Sequence, residues 1–295
     1  MLTKREFDLL VLLENEQNNK TQRELSKELN CSVGTVNNIL KEIIELGYYD
    51  GHNVTTLGYQ VLEPYRVKRA IFLAAGFGSR LMPITINTPK PLIRVNGKRI
   101  IEGLIDSVLK VGIKEIFIVR GHLKEQFNEL LIKYPNIKFI DNPLYNECNN
   151  ITSAFYAKDL FKNAYVFDAD LIIQNPKIIK KYAYDSFMYG IKVSRSDDWC
   201  LNTNKKGVIN SLELGGIDAY REVGISYWNE TDGINLEKDI EEVLYLPGGK
   251  ERFWELVPLK YKKANYQVSI KECGANDVIE IDTFNELKKI DRSYC

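Results

Sequence analysis

The strongest chemistry in this sequence is concentrated in Gly76-Phe77-Gly78-Ser79-Arg80, followed by Pro83 and then by Thr88-Pro89-Lys90-Pro91. A glycine-rich turn exposes backbone N–H groups and lets phosphate oxygens approach closely. Arg80 adds a planar fork of donors and Lys90 a compact point charge, two cations suited to a triphosphate. A dinucleotide fingerprint would need a third glycine and an uninterrupted helix, and the G-x-x-x-x-G-K-[ST] pattern is absent. Carboxylates form the second group. Asp168-Ala169-Asp170 closes the apolar run 164–167, and Asp282 closes a run that begins at Val278. A magnesium ion takes one or two carboxylates and completes its shell with phosphate oxygens and water. Each aspartate also has a plainer reading. Asp168 can be a strand-end residue bonded to backbone, and Asp282 can assist the N-terminus of the helix that Thr283 and Glu286 open as a capping box.

These residues need a scaffold that gathers them. Apolar runs at 68–74, 115–119, 137–140 and 164–167 read as strands, and they alternate with helical patterns at 100–111, 123–134 and 151–160. Such alternation predicts an α/β fold with a mainly parallel sheet covered by helices on both faces. Ligands bind at the carboxyl ends of strands in such sheets, where both the glycine turn and the aspartates fall. Beyond residue 186 the runs 187–194, 208–214 and 222–227 alternate more regularly. They predict an antiparallel extension that carries substrate specificity.

Residues 1–66 follow another pattern. Thr3 with Glu6 and Thr21 with Glu24 have capping-box form, and Ser32 caps a third helix that carries Val36, Ile39 and Ile43 and ends at Gly47. Segments 48–49 and 54–58 predict a short hairpin. Three helices and a hairpin resemble a MarR-like winged helix-turn-helix, which divides the chain into domains 1–66 and 67–295. In such a domain the third helix enters the DNA major groove, where Thr35, Asn37, Asn38 and Lys41 would face the nucleic acid. Seven basic against ten acidic side chains in 1–66 give little phosphate attraction, so DNA binding and a structural or homodimer-forming role both stay open.

Composition sets outer limits. The 295 residues are 44% hydrophobic and 27% charged with a formal net charge of zero, ordinary for a globular chain and without a global field toward nucleic acid or an acidic membrane. Five scattered cysteines without a C-x-x-C pair suit reduced thiols in a cytoplasmic protein. Two distant histidines exclude a His-rich metal site and disfavour a Ser-His-Asp triad. No run approaches the length of a membrane helix, and the first residues lack a signal-peptide core.

The string G-x-G-S-R, a proline, then P-K-P resembles the signature of the nucleotidyltransferase superfamily, over roughly residues 68–290. The resemblance implies a Rossmann-like nucleotidyltransferase sheet. It implies that Ala75, Gly76, Gly78 and Ser79 hold a nucleotide, that Arg80 and Lys90 bind its phosphates, and that Asp170 and Asp282 carry Mg²⁺, with Asp168 less suited. Leu171 departs from the asparagine that often follows the metal aspartate in related enzymes. Further likeness, at 121–127, 142–150, 167–170, 224–228 and 279–282, is to the bacterial CTP:phosphocholine cytidylyltransferases. It places the base near Gly121, Asn149 and Asn150 and implies CTP and a small phosphorylated amino-alcohol as substrates, phosphocholine first.

A choline head group calls for aromatic faces and a carboxylate. Trp199 beside Asp198, Tyr227 and Trp254 are the candidates. With 17 Tyr and 12 Phe in the chain, any single aromatic is also a candidate for the core. Phosphoethanolamine or 2-aminoethylphosphonate would suit the same acidic and aromatic residues. A sugar-1-phosphate nucleotidyltransferase and a nucleotide-sensing transcription regulator are the alternative readings.

Overall fold

The computed structural model describes residues 1–15 and 20–295. The chain divides into two compact units, one of residues 1–66 with Tyr182–Tyr184, the other of Val67–Lys181 with Asp185–Cys295.

The first unit contains α1 (Lys4–Asn15), α2 (Gln22–Glu28), α3 (Val33–Glu45) and α4 (Thr56–Leu62). Thr21 and Glu24 form a reciprocal capping box at α2, and Ser32 caps α3. Leu9, Leu10, Val36 and Ile43 are buried in its core together with Tyr182. The hairpin expected at 48–58 is reduced to one antiparallel bridge between Tyr49 and Val54. The physical reason is a competing cap. The Thr55 hydroxyl accepts the Gly58 N–H, which starts α4 where the second strand was expected. The segment 182–184 joins this unit from far downstream, with Tyr184 stacked on Tyr65 and its hydroxyl donating to the Leu2 carbonyl at 2.9 Å. Of the four residues named for DNA, Asn38 and Lys41 are exposed, Asn37 is half-buried, and Thr35 is engaged with the Ser32 cap.

The second unit opens with β1 (Arg69–Ala74), then a small ribbon of β2 (Arg94–Val95) and β3 (Lys98–Arg99) leading into α5 (Ile100–Lys110). Next come β4 (Glu115–Arg120), α6 (Leu130–Lys133), β5 (Lys138–Asp141), α7 (Ile151–Tyr156) and β6 (Ala164–Asp168). After β7 (Leu171–Ile173) the chain makes two long strands, β8 (Phe187–Thr203) and β9 (Ile209–Trp228), and then α8 (Glu230–Leu244). It finishes with β10 (Ser269–Glu272), β11 (Val278–Glu280) and α9 (Phe284–Ile290). The main sheet runs β10-β8-β9-β6-β1-β4-β5. Strands β6, β1, β4 and β5 are mutually parallel, and β9 joins β6 antiparallel. Helical cover on both faces requires strands apolar on both sides, and Ala70, Ile71 and Phe72 are all fully buried. Helix α5 buries Ile101, Leu104, Ile105 and Val108 along one stripe. Much of the expected helix at 123–134 is instead a 3₁₀ turn over Lys124–Glu129, with α6 only its last turn.

The antiparallel extension is longer than its sequence pattern indicated. One hairpin of β8 and β9 replaces the three separate runs, with register shifts near Met188–Gly190 and Ser196–Trp199.

Candidate active site

Because β1, β4 and β6 run parallel, their carboxyl ends share one edge of the sheet. That edge brings together the glycine turn after β1, Gly121 after β4, and Asp168 with Asp170 after β6. A second pairing delivers the last carboxylate. Strand β11 runs antiparallel to β7 with Glu280 opposite Leu171, and the Ile281 N–H donates to the Asp170 carbonyl at 3.2 Å. Asp282 therefore arrives beside Asp170 from 112 residues downstream.

The resulting crevice, about 290 Å³, is lined by Gly76, Gly78, Ser79, Arg80, Lys90, Asp168, Asp170 and Asp282. Gly78 sits at φ 63°, and a Cβ there would lie 2.9 Å from the Lys90 Cβ, so both backbone conformation and space require glycine. Lys90 is 7% exposed and its ammonium donates to Asp170 Oδ2 at 2.6 Å and to Asp282 Oδ1 at 3.0 Å. Arg80 donates to the same Asp282 oxygen at 2.7 Å. Burial alone would lower the Lys90 pKa, but attraction to Asp170 and Asp282 outweighs it and holds the ammonium firmly charged. Ala75 does not line the crevice. It is buried, and its carbonyl accepts the His122 N–H at 3.0 Å, tying the β1 and β4 loops together.

Asp170, Glu280 and Asp282 place ligand oxygens within 4.8 Å of one another. Asp170 Oδ1 is buried without a hydrogen-bond partner among the described residues. An all-oxygen set with an orphaned carboxylate oxygen fits a hard divalent cation such as Mg²⁺. Glu280 was missed from sequence, although its position two before Asp282 puts both on one face of an extended segment.

The pocket beside Gly121, about 350 Å³, is lined by Lys124, Glu125, Asp141, Asn142 and Tyr145 as well. Asn149 and Asn150 are not there. The Asn149 amide donates to the Glu251 carbonyl, and Asn150 Nδ2 lies 3.2 Å from both Glu255 oxygens. These asparagines brace the segment around Trp254.

The residues expected at the acceptor site separate in the structure. Tyr227 is fully buried on β9, where antiparallel pairing with β6 turns its ring into the core against Tyr165 and Phe187, and its phenol donates to Asn163. Trp199 packs on Phe253, whereas Asp198 lines a cavity of about 440 Å³ together with Asp197, Arg221, Glu280 and Asp282. Trp254 is 2% exposed and packs edge-on against Phe161 and Trp228.

Two acids that the sequence did not single out, Glu222 and Glu255, lie beside Asp168. Asp168, Glu222 and Glu255 line one small cavity with Trp254. Asp168 was expected to bond backbone, yet no hydrogen bond to its carboxylate is found among the described residues. It packs instead on Gly224, where φ is 68° and a Cβ would stand 2.7 Å from Asp168 Oδ2. The Gly224 N–H donates to Glu222 Oε1 at 2.6 Å. Burial and the neighbouring acids raise Asp168 well above the usual carboxylate range. Burial, then Glu255, pushes Glu222 up to about 8, and burial pushes Glu255 up to about 7. Glu280 rises to about 8 through burial and the charges of Asp170 and Asp282.

These shifts have a consequence for stability. A carboxyl whose pKa is raised by folding contributes stability below pH ~4.5 that is lost as pH rises through 7 to 8. Glu222→Gln is therefore expected to raise Tm by about 2–4 °C at pH 8.5 and to leave it nearly unchanged at pH 4.5. Thermal unfolding at the two pH values measures this, and an equal gain at both would contradict it.

Fold and site together define a phosphate-handling α/β transferase, and residues 69–194 match the Nucleotidyl transferase family. The chain belongs to the nucleotidyltransferase family, among its cytidylyltransferases. It is 35% identical over 228 residues to the 2-aminoethylphosphonate cytidylyltransferase of Lancefieldella rimae, covering 76% of this chain and 92% of that protein. It is 30% identical over 225 residues to the choline-phosphate cytidylyltransferase of Haemophilus influenzae, covering 75% and 95%. The solved CTP:phosphocholine cytidylyltransferase of Streptococcus pneumoniae superposes with a TM-score of 0.70 at 30% identity, covering 78% of this chain and all of that one. No helix among the described residues is long and apolar enough to cross a membrane.

Proposed function

We propose that this protein transfers CMP from CTP to a small phosphate or phosphonate that carries an amine, releasing pyrophosphate. The observation that carries this reading is the crevice in which a glycine turn, Arg80 and Lys90 face Asp170 and Asp282. The triphosphate lies along Gly76, Gly78 and Ser79, whose backbone can approach phosphate oxygens. Arg80 and Lys90 then exchange carboxylate partners for phosphate oxygens and neutralise the developing charge. The base fits the pocket beside Gly121. An oxygen of the acceptor phosphate or phosphonate attacks the α-phosphorus in line. The new P–O bond forms as the bond to the β-phosphate oxygen breaks, and pyrophosphate carries away the electron pair.

Asp170 and Asp282, with Glu280 beside them, would hold Mg²⁺, which when bound supplies charge neutralisation and alignment of the phosphates. The chain itself asks for little covalent chemistry. It orients two anions that would otherwise repel each other.

A matrix of CTP, UTP, ATP and GTP against 2-aminoethylphosphonate, phosphoethanolamine, phosphocholine and glucose 1-phosphate tests the reading through pyrophosphate release with Mg²⁺. Turnover confined to CTP with amine-bearing acceptors is expected. Turnover with glucose 1-phosphate and no amine would move the protein to the sugar nucleotidyltransferases.

A further inference from the structure

The stretch 81–89 separates Arg80 from Lys90, and its path sets where the two cations stand. It is irregular apart from short 3₁₀ turns at Ser79–Leu81 and Ile84–Ile86, and side chains from the loop after β4 hold it. His122 Nε2 lies 3.0 Å from the Thr85 carbonyl, and the Gln126 amide donates to the Asn87 carbonyl at 2.8 Å. A carbonyl only accepts, so Nε2 carries the proton and donates. Thr85, 2% exposed, passes the hold on, because its hydroxyl donates to the Gly78 carbonyl at 3.0 Å. The imidazole also packs on Phe77 inside the glycine turn, with ring centroids 4.9 Å apart.

The backbone that carries His122 is itself fixed. Its N–H donates to the Ala75 carbonyl at 3.0 Å, and a Cβ at Gly121 would stand 2.8 Å from that same oxygen. Leu123 follows at φ 49°, a left-handed conformation that a bulky side chain rarely adopts. Such a conformation persists only where the surroundings over-determine it. Here the Lys124 carbonyl accepts Arg120 at 3.2 Å, closing the turn around Leu123.

We propose that His122 is a positioning residue for nucleotidyl transfer. Its Nε2–H, acting through Thr85, holds the glycine turn and the segment leading to Lys90 in the geometry that grips the triphosphate. The inference rests on the nucleotide placement proposed above. His122 does not line the phosphate crevice, so its effect passes through the residues that do. Arg80 and Lys90 act as charge develops, so a loosened segment costs rate at saturating substrate more than it costs acceptor binding.

The test measures pyrophosphate release with Mg²⁺, CTP and the best acceptor of the matrix above, for the unaltered protein, His122→Phe, His122→Gln and Thr85→Val. Phenylalanine keeps a ring against Phe77 and loses the donor, whereas glutamine offers an amide N–H at about the reach of Nε2. His122→Phe should lower kcat at least about tenfold, with KM for the acceptor within about twofold and Tm within a few degrees. His122→Gln should keep kcat within about threefold. Thr85→Val breaks the bond to Gly78 and should lose about as much as His122→Phe. The double variant should lose little more than either, because both substitutions cut one chain of contacts. If His122→Phe fails to fold, Thr85→Val decides alone, a tenfold loss supporting the role and an unchanged kcat overturning it. Unchanged kcat in His122→Phe, glutamine no better than phenylalanine, or losses that multiply in the double variant would overturn the positioning role while cytidylyl transfer stands. Silence of the unaltered protein across the whole matrix would overturn the cytidylyltransferase reading itself.

Discussion

Asp170→Ala is expected to lower kcat by about a thousandfold or more while the protein keeps its fold, because in the proposed reaction the deleted charge serves the reaction centre and not the core. The geometry separates the two roles. Asp170 is partly exposed just beyond β6, and among the described residues its Oδ1 has no partner and its Oδ2 receives only Lys90. After the substitution Lys90 still has Asp282 at 3.0 Å, so no ammonium is left buried and alone. Circular dichroism and thermal unfolding should therefore match the unaltered protein within a few degrees, and pyrophosphate release should collapse. Near-normal turnover would remove Asp170 from the metal role.

Lys90→Met is expected to fail differently, in stability as well as in rate. Methionine replaces the stem but leaves Asp170 and Asp282 facing each other without the cation that bridges them. Breaking a buried ion pair costs up to about 3–5 kcal/mol, and the partial exposure of both carboxylates puts this case nearer 2 kcal/mol. That corresponds to a fall of roughly 4–8 °C in Tm without metal. A divalent cation that settles between the same carboxylates replaces the missing charge. Added Mg²⁺ should thus recover more Tm in the variant than in the unaltered protein. Turnover should drop by at least about a hundredfold even with Mg²⁺, since the phosphates lose a donor. Equal Mg²⁺ stabilisation of both proteins would show that Lys90 and the metal do not compete for one position.

The residues that were legible in the sequence are those whose chemistry depends on local spacing. The glycine turn, Arg80, Lys90 and the aspartates at strand ends all follow short patterns, and the alternating strands placed them on one edge. Residues that act through long-range pairing were not legible. Glu222 faces Asp168 only because β9 returns antiparallel along β6, and Glu255 reaches the same cavity from a segment with no regular pattern. The aromatics misled for a related reason. Tyr227 and Trp254 are suitable by type for a choline cage, but type does not reveal that both side chains are buried. The short hairpin expected at 48–58 yielded to a helix cap at Thr55, a local hydrogen bond that outcompeted a weak β pattern. The recruitment of 182–184 to the first unit carries no sequence signal beyond two tyrosines.

The most direct test of cytidylyl transfer is to follow a mixture of CTP, Mg²⁺ and 2-aminoethylphosphonate by ³¹P NMR in the presence of the protein. The expected result is a pair of coupled phosphorus signals from a CMP–phosphonate linkage, growing in equal amount with pyrophosphate. Pyrophosphate that accumulates with free CMP and no coupled pair would instead make the protein a nucleotide hydrolase and contradict the proposed transfer.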